Sequence, residues 1–284
     1  MQLTLFVSVE TDRKEEHTMD KNAVAAIALI VGVLVGFGVG WVAFAGTPTE
    51  QPSGLLAQIQ ARGYIIVGTS TPWLPFEYYN ETSGQYEGFD IDLVNMIADY
   101  LNVTVHWSDM DFDALVGACK SGTVDMLAAA MFVTPERAEE LAFSVPYIRT
   151  NEVVVVTGNS TLAIEDLEDL AGHSVGVQTG TVEDEELSGL VDDGVNIDLH
   201  RYQKVDIMFQ DLIAGTLDAV YVDEPVLVVY QKVYSLKNIF MVPAPPTALY
   251  CRYDSPDLLK AINTVILNAY SDGSLDALVE KWFG

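Results

Sequence analysis

The chain has 284 residues, half of them hydrophobic, and a formal net charge of −27 at pH 7. This length suits one or two compact domains with a sizeable core. The large excess of acidic residues argues against nucleic acid and anionic lipid surfaces as partners, because both are themselves negatively charged.

The N-terminal region predicts a membrane anchor. Residues 1–22 are polar, and Met19 offers an alternative start that would make residues 1–18 an extension of the chain. Residues 23–46 then carry no charged side chain and are numerous enough to span a bilayer with some tilt. An uncleaved anchor is favoured over a cleaved signal peptide, because the run is long and lacks an obvious cleavage signal. Lys21 precedes the run and no basic residue follows it closely, which predicts a cytoplasmic N-terminus and an extracytoplasmic remainder.

After the anchor, the chain alternates between strand and helix patterns. Residues 47–62 read as a linker and a short amphipathic helix. The segments that follow predict a strand at 64–69, a polar hairpin region at 80–87, a helix at 88–101, a strand at 103–107 and a helix at 112–120. This alternation is typical of a parallel, doubly wound α/β sheet.

Residues 126–137 combine a strand pattern with a helix start. Residues 126–133 are small and apolar, as in a buried parallel strand, and Thr134 and Pro135 suit the N-cap and first position of a helix. Arg137 lies in the first turn, where the helix dipole favours anions. Ligands of open α/β sheets bind beside such turns. An anion site and an ordinary ion pair with a nearby glutamate explain Arg137 equally well.

A second α/β unit follows, after which the chain returns to the first unit. The second unit predicts strands at 152–157, 174–178, 197–202 and 219–222, and helices at 162–170, from 183, at 205–214 and from 224. Residues 243–246 (PAPP) interrupt the chain, after which a strand at 248–253 and helices at 256–270 and 275–283 are expected. Two short crossings between the units predict two lobes with a two-strand hinge: lobe 1 at 63–150 plus 248–284, and lobe 2 at 151–247.

The two cysteines do not indicate a metal site. Cys119 and Cys251 lie far apart in apolar segments, and no Cys/His spacing typical of zinc is present. Two buried thiols are favoured over one disulfide. We expect neither a metal nor a cofactor.

Several ordered motifs resemble one protein family. They are VGTSTPWLPFEY at 67–78, GFDIDL at 88–93, TPER at 134–137, LDAVYVDEP at 217–225 and the closing SDGSLDALVEKWFG. Together they resemble the polar amino-acid solute-binding proteins (family 3) of ABC importers, from about residue 64 to the end. The resemblance implies a type II periplasmic-binding-protein fold, a two-lobed clamshell that closes over a free amino acid. It also implies an ABC permease and its cytoplasmic ATPase as partners.

The resemblance assigns both charged ends of the ligand. Arg137 matches the arginine that holds the ligand α-carboxylate, and Asp223 matches the aspartate that takes the α-ammonium. A zwitterion needs one group of each sign, because burying either charge unpaired is costly. Taken alone, Asp223 also suits a helix N-cap before Glu224 and Pro225.

Other residues match the wall of the family's site. Thr181 and Val182 match positions that offer a hydroxyl and backbone amides to the carboxylate, as a helix N-terminus does. Ala130 matches the position whose carbonyl receives the ammonium. Trp73 and Phe112 match the aromatic pair that flanks the ligand side chain, although either could be an ordinary core residue. Their joint occurrence in the family's order favours ligand contact.

Three positions depart from the family's pattern. Phe132 stands where a threonine or serine hydroxyl often contacts the carboxylate. Ser70 stands where members with cationic ligands carry an aspartate, and Gln178 stands where some members carry a lysine. The side of the pocket therefore appears uncharged in sequence, which predicts a neutral amino acid over a charged one.

These observations predict a membrane-tethered receptor for amino-acid import. The same fold also serves sensory domains and cyclohexadienyl dehydratases. A sensor would need a separate signalling partner, and a dehydratase would need an acid or base aimed at its substrate. The sequence offers no spare pocket histidine or glutamate for that role, so a non-enzymatic binding protein is preferred.

Overall fold

The computed structural model describes residues 54–284. The predictions for residues 1–22, the expected anchor at 23–46 and the linker residues 47–53 fall outside this range, whereas the short helix expected before residue 62 is present at Leu55–Arg62. No helix in the described range is both long enough and apolar enough to cross a bilayer.

The elements alternate along the chain. The strands are β1 (Tyr64–Thr69), β2 (Tyr78–Asn80), β3 (Gln85–Glu87), β4 (Thr104–Asp109), β5 (Met126–Leu127), β6 (Ala142–Phe143), β7 (Asn151–Thr157), β8 (Ser174–Gln178), β9 (Asp198–Tyr202), β10 (Ala219–Asp223), β11 (Leu236–Pro243) and β12 (Tyr250–Cys251). The helices are α1 (Leu55–Arg62), α2 (Phe89–Leu101), α3 (Leu115–Ser121), α4 (Pro135–Glu140), α5 (Val182–Asp192), α6 (Val205–Ala214), α7 (Glu224–Gln231), α8 (Pro256–Asp272) and α9 (Ser274–Phe283).

Two five-stranded sheets organise these elements. The first has the order β4-β1-β5-β12-β6 and the second the order β11-β7-β10-β8-β9. Neighbours joined through a helix run parallel, namely β1 with β4 and β5, and β8 with β9 and β10. The expectation of wholly parallel sheets is wrong for β7, β11 and β12, which run antiparallel to their neighbours. The chain enters β7 and β12 directly from a preceding strand, without the crossover helix that parallel pairing requires, whereas α7 precedes β11.

The two sheets belong to two lobes, as the clamshell fold predicts. Residues 64–143 and 250–251 supply the first sheet, and residues 151–243 supply the second. The two connecting stretches run antiparallel: Tyr147 donates to the Thr247 carbonyl at 3.0 Å, and Thr247 donates to the Ile148 carbonyl at 3.0 Å. The chain therefore crosses between the lobes twice. The lobe boundaries stated above stay a prediction.

Helices cover the sheets because each helix presents an apolar face. In α2 that face includes Phe89, Leu93, Ile97 and Leu101, all buried and spaced by one turn. The α8 helix packs against α1, α2 and α9 in the first lobe, while α6 packs on the second sheet. Cys119 and Cys251 are buried in the first lobe as free thiols.

The segment 126–133 was expected to be a strand, but only Met126–Leu127 pairs in the sheet. The chain then leaves the sheet, and Ala130 adopts a left-handed φ of +49°. The Ala130 amide donates to Asp90 Oδ2 at 2.8 Å, a contact that replaces a sheet hydrogen bond. Asp90 also accepts the Tyr147 hydroxyl, at 2.7 Å to Oδ1. The GFDIDL motif thus fixes the backbone that bends toward the cleft.

Two further element predictions were wrong. Residues 162–170 form only a short 3-10 turn at Leu167–Leu170, whose start is capped by the Asp166 side chain. Local capping by aspartate competes with a longer helix there. The β11 strand was missed although residues 239–242 (IFMV) form an apolar run; Leu236 is its one buried residue.

Candidate functional site

A cavity with about 240 Å³ of empty space lies where the two lobes meet. It brings together every predicted site residue except Ser70. The lining residues are Trp73, Phe112, Ala129, Ala130, Phe132 and Arg137 from the first lobe, and Gln178, Thr181, Val182, Glu183 and Asp223 from the second.

Arg137 is a buried cation that has no carboxylate partner among the described residues. Thr134 caps α4 by accepting the Arg137 amide, as predicted, and this places the arginine at the cavity. The guanidinium donates to the carbonyls of Phe132 at 2.9 Å and Gly180 at 3.1 Å, and it lies over the Phe112 ring. Burial lowers the pKa of Arg137, yet arginine stays protonated in proteins.

The ordinary ion pair considered for Arg137 is absent from the described part of the chain. Arg137 is only 7% exposed, while Glu140 on the same helix pairs with Lys120 instead. Burying a cation without a counter-charge is costly. The site is therefore prepared for an anion.

Asp223 ends β10 on the opposite side of the cavity. Its Oδ2 accepts the Trp73 indole N–H at 2.9 Å, whereas Oδ1 is buried without a hydrogen-bond partner. Asp223 occupies the N-cap position of α7, but its side chain makes no capping hydrogen bond there among the described residues. The pKa of Asp223 is raised to about 8, chiefly by burial and also by Glu152, against the lowering effects of the Trp73 hydrogen bond and Arg137. A free carboxylate oxygen thus faces the cavity.

The N-terminus of α5 forms part of the second-lobe wall. The Thr181 hydroxyl donates to the Gln178 carbonyl at 2.9 Å and accepts the Asp184 amide at 3.3 Å, so it is already engaged in capping. Val182 is the first helical residue. Gly180, just before the cap, has a φ of +78°, and a Cβ there would lie 3.0 Å from the Asp113 Cβ of the first lobe. Close approach of the lobes needs a glycine at this position.

The three departures from the family's pattern have distinct positions. The Phe132 carbonyl accepts from Arg137 and from the Tyr250 hydroxyl, the latter at 2.7 Å, so its backbone positions the arginine. The Gln178 side chain donates to the Gln203 carbonyl at 3.1 Å. Ser70 is buried with its hydroxyl unpartnered, but it does not line the cavity.

Glu183 is the lining residue that sequence reasoning missed. It is 2% exposed, and its Oε1 has no hydrogen-bond partner. Burial raises its pKa well above the usual range, and the neighbouring Asp223 raises it further. The prediction that the pocket side is uncharged is therefore wrong, as is the statement that no spare pocket glutamate exists. The sequence feature that could have identified Glu183 is its position two residues after Thr181, in the first turn of the helix whose N-terminus was expected at the site.

A further buried carboxyl group, that of Glu152, lies next to the second-lobe wall. Glu152 pairs with Asp223 across β7 and β10, and its Oε2 accepts the Tyr221 hydroxyl at 3.1 Å. Tyr221 also donates to Glu186 at 2.8 Å. The pKa of Glu152 is raised to about 8, chiefly by burial and also by Glu183 and Glu186. Negative charge near the cavity is therefore held at a cost.

Hydrogen bonds across the cleft hold the lobes closed over the cavity. Trp73 donates to Asp223 and Arg137 donates to Gly180, in each case from the first lobe to the second. Lys204 of the second lobe donates to the Thr71 carbonyl at 2.6 Å. The geometry is that of a closed clamshell.

Comparison with known proteins connects this cleft to amino-acid binding. A profile of the bacterial extracellular solute-binding proteins, family 3, matches residues 65–284. The L-cystine-binding protein TcyJ of Escherichia coli (strain K12) is 29% identical over 266 residues, covering 92% of this chain and 93% of the relative. The arginine-binding extracellular protein ArtP of Bacillus subtilis (strain 168) is 30% identical over 224 residues, covering 77% and 86%.

Solved structures give the same result. An ancestral arginine-binding protein bound to arginine has a TM-score of 0.74 at 34% identity, covering 78% of this chain and 99% of that one. The ancestral amino acid-binding protein AncCDT-1, a precursor of cyclohexadienyl dehydratase, has a TM-score of 0.75 at 29% identity, covering 82% and 100%.

Proposed function

The chain belongs to family 3 of the bacterial extracellular solute-binding proteins, and we propose that it captures a free α-amino acid between its two lobes. One observation carries the proposal: a buried arginine without a counter-anion and a buried aspartate with a free oxygen line the same small cavity. A carboxylate on Arg137 and an ammonium on Asp223 would each pair a charge that is costly to bury alone.

Closure follows from how the two ligand ends contact the lobes. The carboxylate lies between Arg137 of the first lobe and the N-terminus of α5 in the second, where Val182 begins the helix. The ammonium lies between Asp223 of the second lobe and the Ala130 carbonyl of the first. Because these contacts exist together only when the lobes are closed, the ligand shifts the population toward the closed form.

The role in transport extends this proposal. The closed form delivers its ligand to an ABC permease with a cytoplasmic ATPase, and residues 23–46 hold the binding domain at the extracytoplasmic face of the membrane. The uncharged run, the basic residue before it and the family assignment support this arrangement. Fractionation of cells followed by external protease treatment tests it: the chain should sediment with membranes and its folded domain should be accessible from outside.

A second candidate is a dehydratase on the same fold. Glu183 supports it, because a buried carboxyl group with a raised pKa suits a general acid. The similarity to a precursor of cyclohexadienyl dehydratase adds to this. TcyJ and ArtP, the relatives described above, are binding proteins, so binding without turnover is the preferred function. Incubation with prephenate or arogenate decides between the two, and product formation that depends on Glu183 would favour the enzyme.

A thermal-shift screen of the purified full chain against the twenty amino acids tests the main proposal. A ligand that binds only the folded state raises the melting temperature by mass action. We expect at least one amino acid to do so, while its decarboxylated amine and its N-acetyl derivative do not. No shift with any amino acid would overturn the proposal.

The cavity lining bears on which ligand side chain the site accepts. The expectation of a neutral ligand depended on an uncharged pocket side, and Glu183 removes that premise.

A further inference from the structure

The charges that line the cavity do not balance. Arg137 contributes one positive charge, while Asp223 and Glu183 contribute two carboxyl groups, each of which is negative when ionised. A neutral amino acid is a zwitterion and adds no net charge. Among the described residues it would satisfy Arg137 and Asp223 and leave Glu183 Oε1 enclosed without a partner, which is costly if that carboxyl group is ionised.

Among the described residues, no cation forms a salt bridge with Glu183. Glu186 lies on the same helix, Asp223 on β10 and Glu152 on β7, and each of these acidic groups disfavours a second negative charge nearby. The cation in the cavity lining is Arg137, whose guanidinium already donates to two backbone carbonyls. Glu183 Oε1 remains buried and unpartnered in the cavity wall.

We propose that Glu183 selects an amino acid whose side chain carries a second positive charge, a diamino or guanidino acid. This inference rests on the proposed function, since it assumes that Arg137 and Asp223 hold the α-carboxylate and α-ammonium. The side-chain cation then pairs with Glu183 Oε1. Trp73 and Phe112 enclose the aliphatic part of the side chain, where aromatic faces also favour a cation.

Charge counting supports this ligand class. A ligand of net charge +1 makes the cavity and its contents neutral, whereas a neutral or acidic ligand leaves them negative. Burial and Asp223 raise the pKa of Glu183, so an approaching cation favours loss of its proton. Binding of a cationic amino acid should therefore release more protons near neutral pH than binding of a neutral one.

Paired ligands of nearly equal shape test the inference on the full chain. L-arginine and L-citrulline differ by a guanidinium against a neutral urea, and L-lysine and L-norleucine differ by the terminal ammonium. Calorimetric titration of the wild-type protein should give at least one cationic member an affinity about 30-fold or more above its neutral partner, as expected for a desolvated charge pair.

Two variants test whether Glu183 causes the preference for a cationic amino acid. Glu183→Gln keeps the size and hydrogen-bonding capacity but removes the charge, so the cationic preference should fall at least about tenfold while the affinity for the neutral partner changes little. Asp192→Asn is the matched control, because it removes an exposed charge at the other end of the same helix. It should leave both affinities unchanged. Thermal unfolding confirms that each variant is folded.

The outcomes separate the two proposals. If neutral amino acids bind in a manner that requires Arg137 but cationic ones bind no better, the proposed function stands and the inference about Glu183 is overturned. An unchanged preference in folded Glu183→Gln overturns it as well. If no amino acid binds, both proposals fail. The comparison of paired cationic and neutral ligands on the wild-type protein tests the inference even if Glu183→Gln does not fold.

Discussion

At the scale of single residues, Arg137 and Asp223 show how a binding site differs from a core. Both are nearly fully buried, yet neither has a charged partner at salt-bridge distance among the described residues. Their unsatisfied capacity is directed into a common cavity rather than into the protein. Such an arrangement costs folding free energy and favours a ligand with complementary charges.

Asp223→Asn should weaken binding of the amino acid by at least about 30-fold, because the ammonium loses its counter-charge in a desolvated site. The amide oxygen can still accept the Trp73 indole hydrogen bond, so the first-lobe contact is retained. Calorimetric titration measures the change. Asp198→Asn, at an exposed aspartate on β9, two strands away in the same sheet, serves as control. Equal affinities for Asp223→Asn and wild type would contradict the assignment.

The sequence predicted most of the lining but not its charge. Arg137, Asp223 and the aromatic pair were found because they stand in motifs with recognisable order. Glu183 was not, since an acidic residue in the first turn of a helix is common and stabilising in itself. Only the close position of that helix end to the opposite lobe gives Glu183 a second role.

At the scale of elements, the turn between β8 and α5 both caps the helix and contacts the opposite lobe. Gly180 has a left-handed φ, lies against Asp113 of the other lobe and accepts a hydrogen bond from Arg137. The Thr181 cap and the buried Val182 follow directly. A single short segment therefore positions the helix N-terminus and the contact surface of the second lobe.

Gly180→Ala should lower ligand affinity at least about tenfold, since the added Cβ strains the backbone and meets the first lobe only in the closed form. Gly194→Ala is a matched control, because Gly194 also has a positive φ of +95° but has nothing within 4 Å of its Cβ position. Both variants should lose a similar amount of stability. If both retain wild-type affinity, the close lobe contact at Gly180 plays no part in binding.

The bend after β5 depends on a buried hydrogen-bond cluster. Tyr147→Phe removes one donor to Asp90, whose carboxylate also holds the Ala130 amide. We expect a loss of about 1.5–3 kcal/mol in the free energy of unfolding, the range for a hydrogen bond to a charged group. Chemical denaturation measures it. Tyr100→Phe, at a tyrosine that is 56% exposed, should change stability little. A loss as small as in that control would mean that Tyr147 contributes through packing alone.

At the scale of the whole molecule, the alternation of strands and helices predicted the two-lobed fold but not all strand directions. Hydrophobic periodicity and helix N-terminal residues are local signals, and they predicted most segments correctly. The antiparallel strands β7, β11 and β12 follow from how the chain crosses between lobes, which no local pattern encodes. The short extent of β5 likewise depends on Asp90, far away in sequence.

Buried carboxyl groups should make the ligand-free protein less stable as the pH rises. Burial raises the pKa of Asp90 to about 6, and of Glu152 and Asp223 to about 8. Each group stabilises the fold below its unfolded pKa, near 4, and that contribution is lost as the pH rises through the folded pKa. The melting temperature should therefore fall between about pH 5 and about pH 8.

Other acidic groups do not reverse this expectation. The surface carboxyl groups of Glu87, Asp218 and Asp272 have lowered pKa values, through hydrogen bonds, so their effect lies below this window. Glu152→Gln should flatten the decline. A melting temperature that rises steadily from about pH 5 to about pH 8 would contradict the pKa assignments.

The most direct test of zwitterion binding is a calorimetric titration of Arg137→Ala with the amino acid that the wild-type protein binds most tightly. We expect affinity to fall at least about 100-fold with the melting temperature of the ligand-free protein kept or raised, because an uncompensated buried charge is removed. Arg149→Ala, at an exposed arginine, should bind as the wild type does. Wild-type affinity in a folded Arg137→Ala variant would contradict the account.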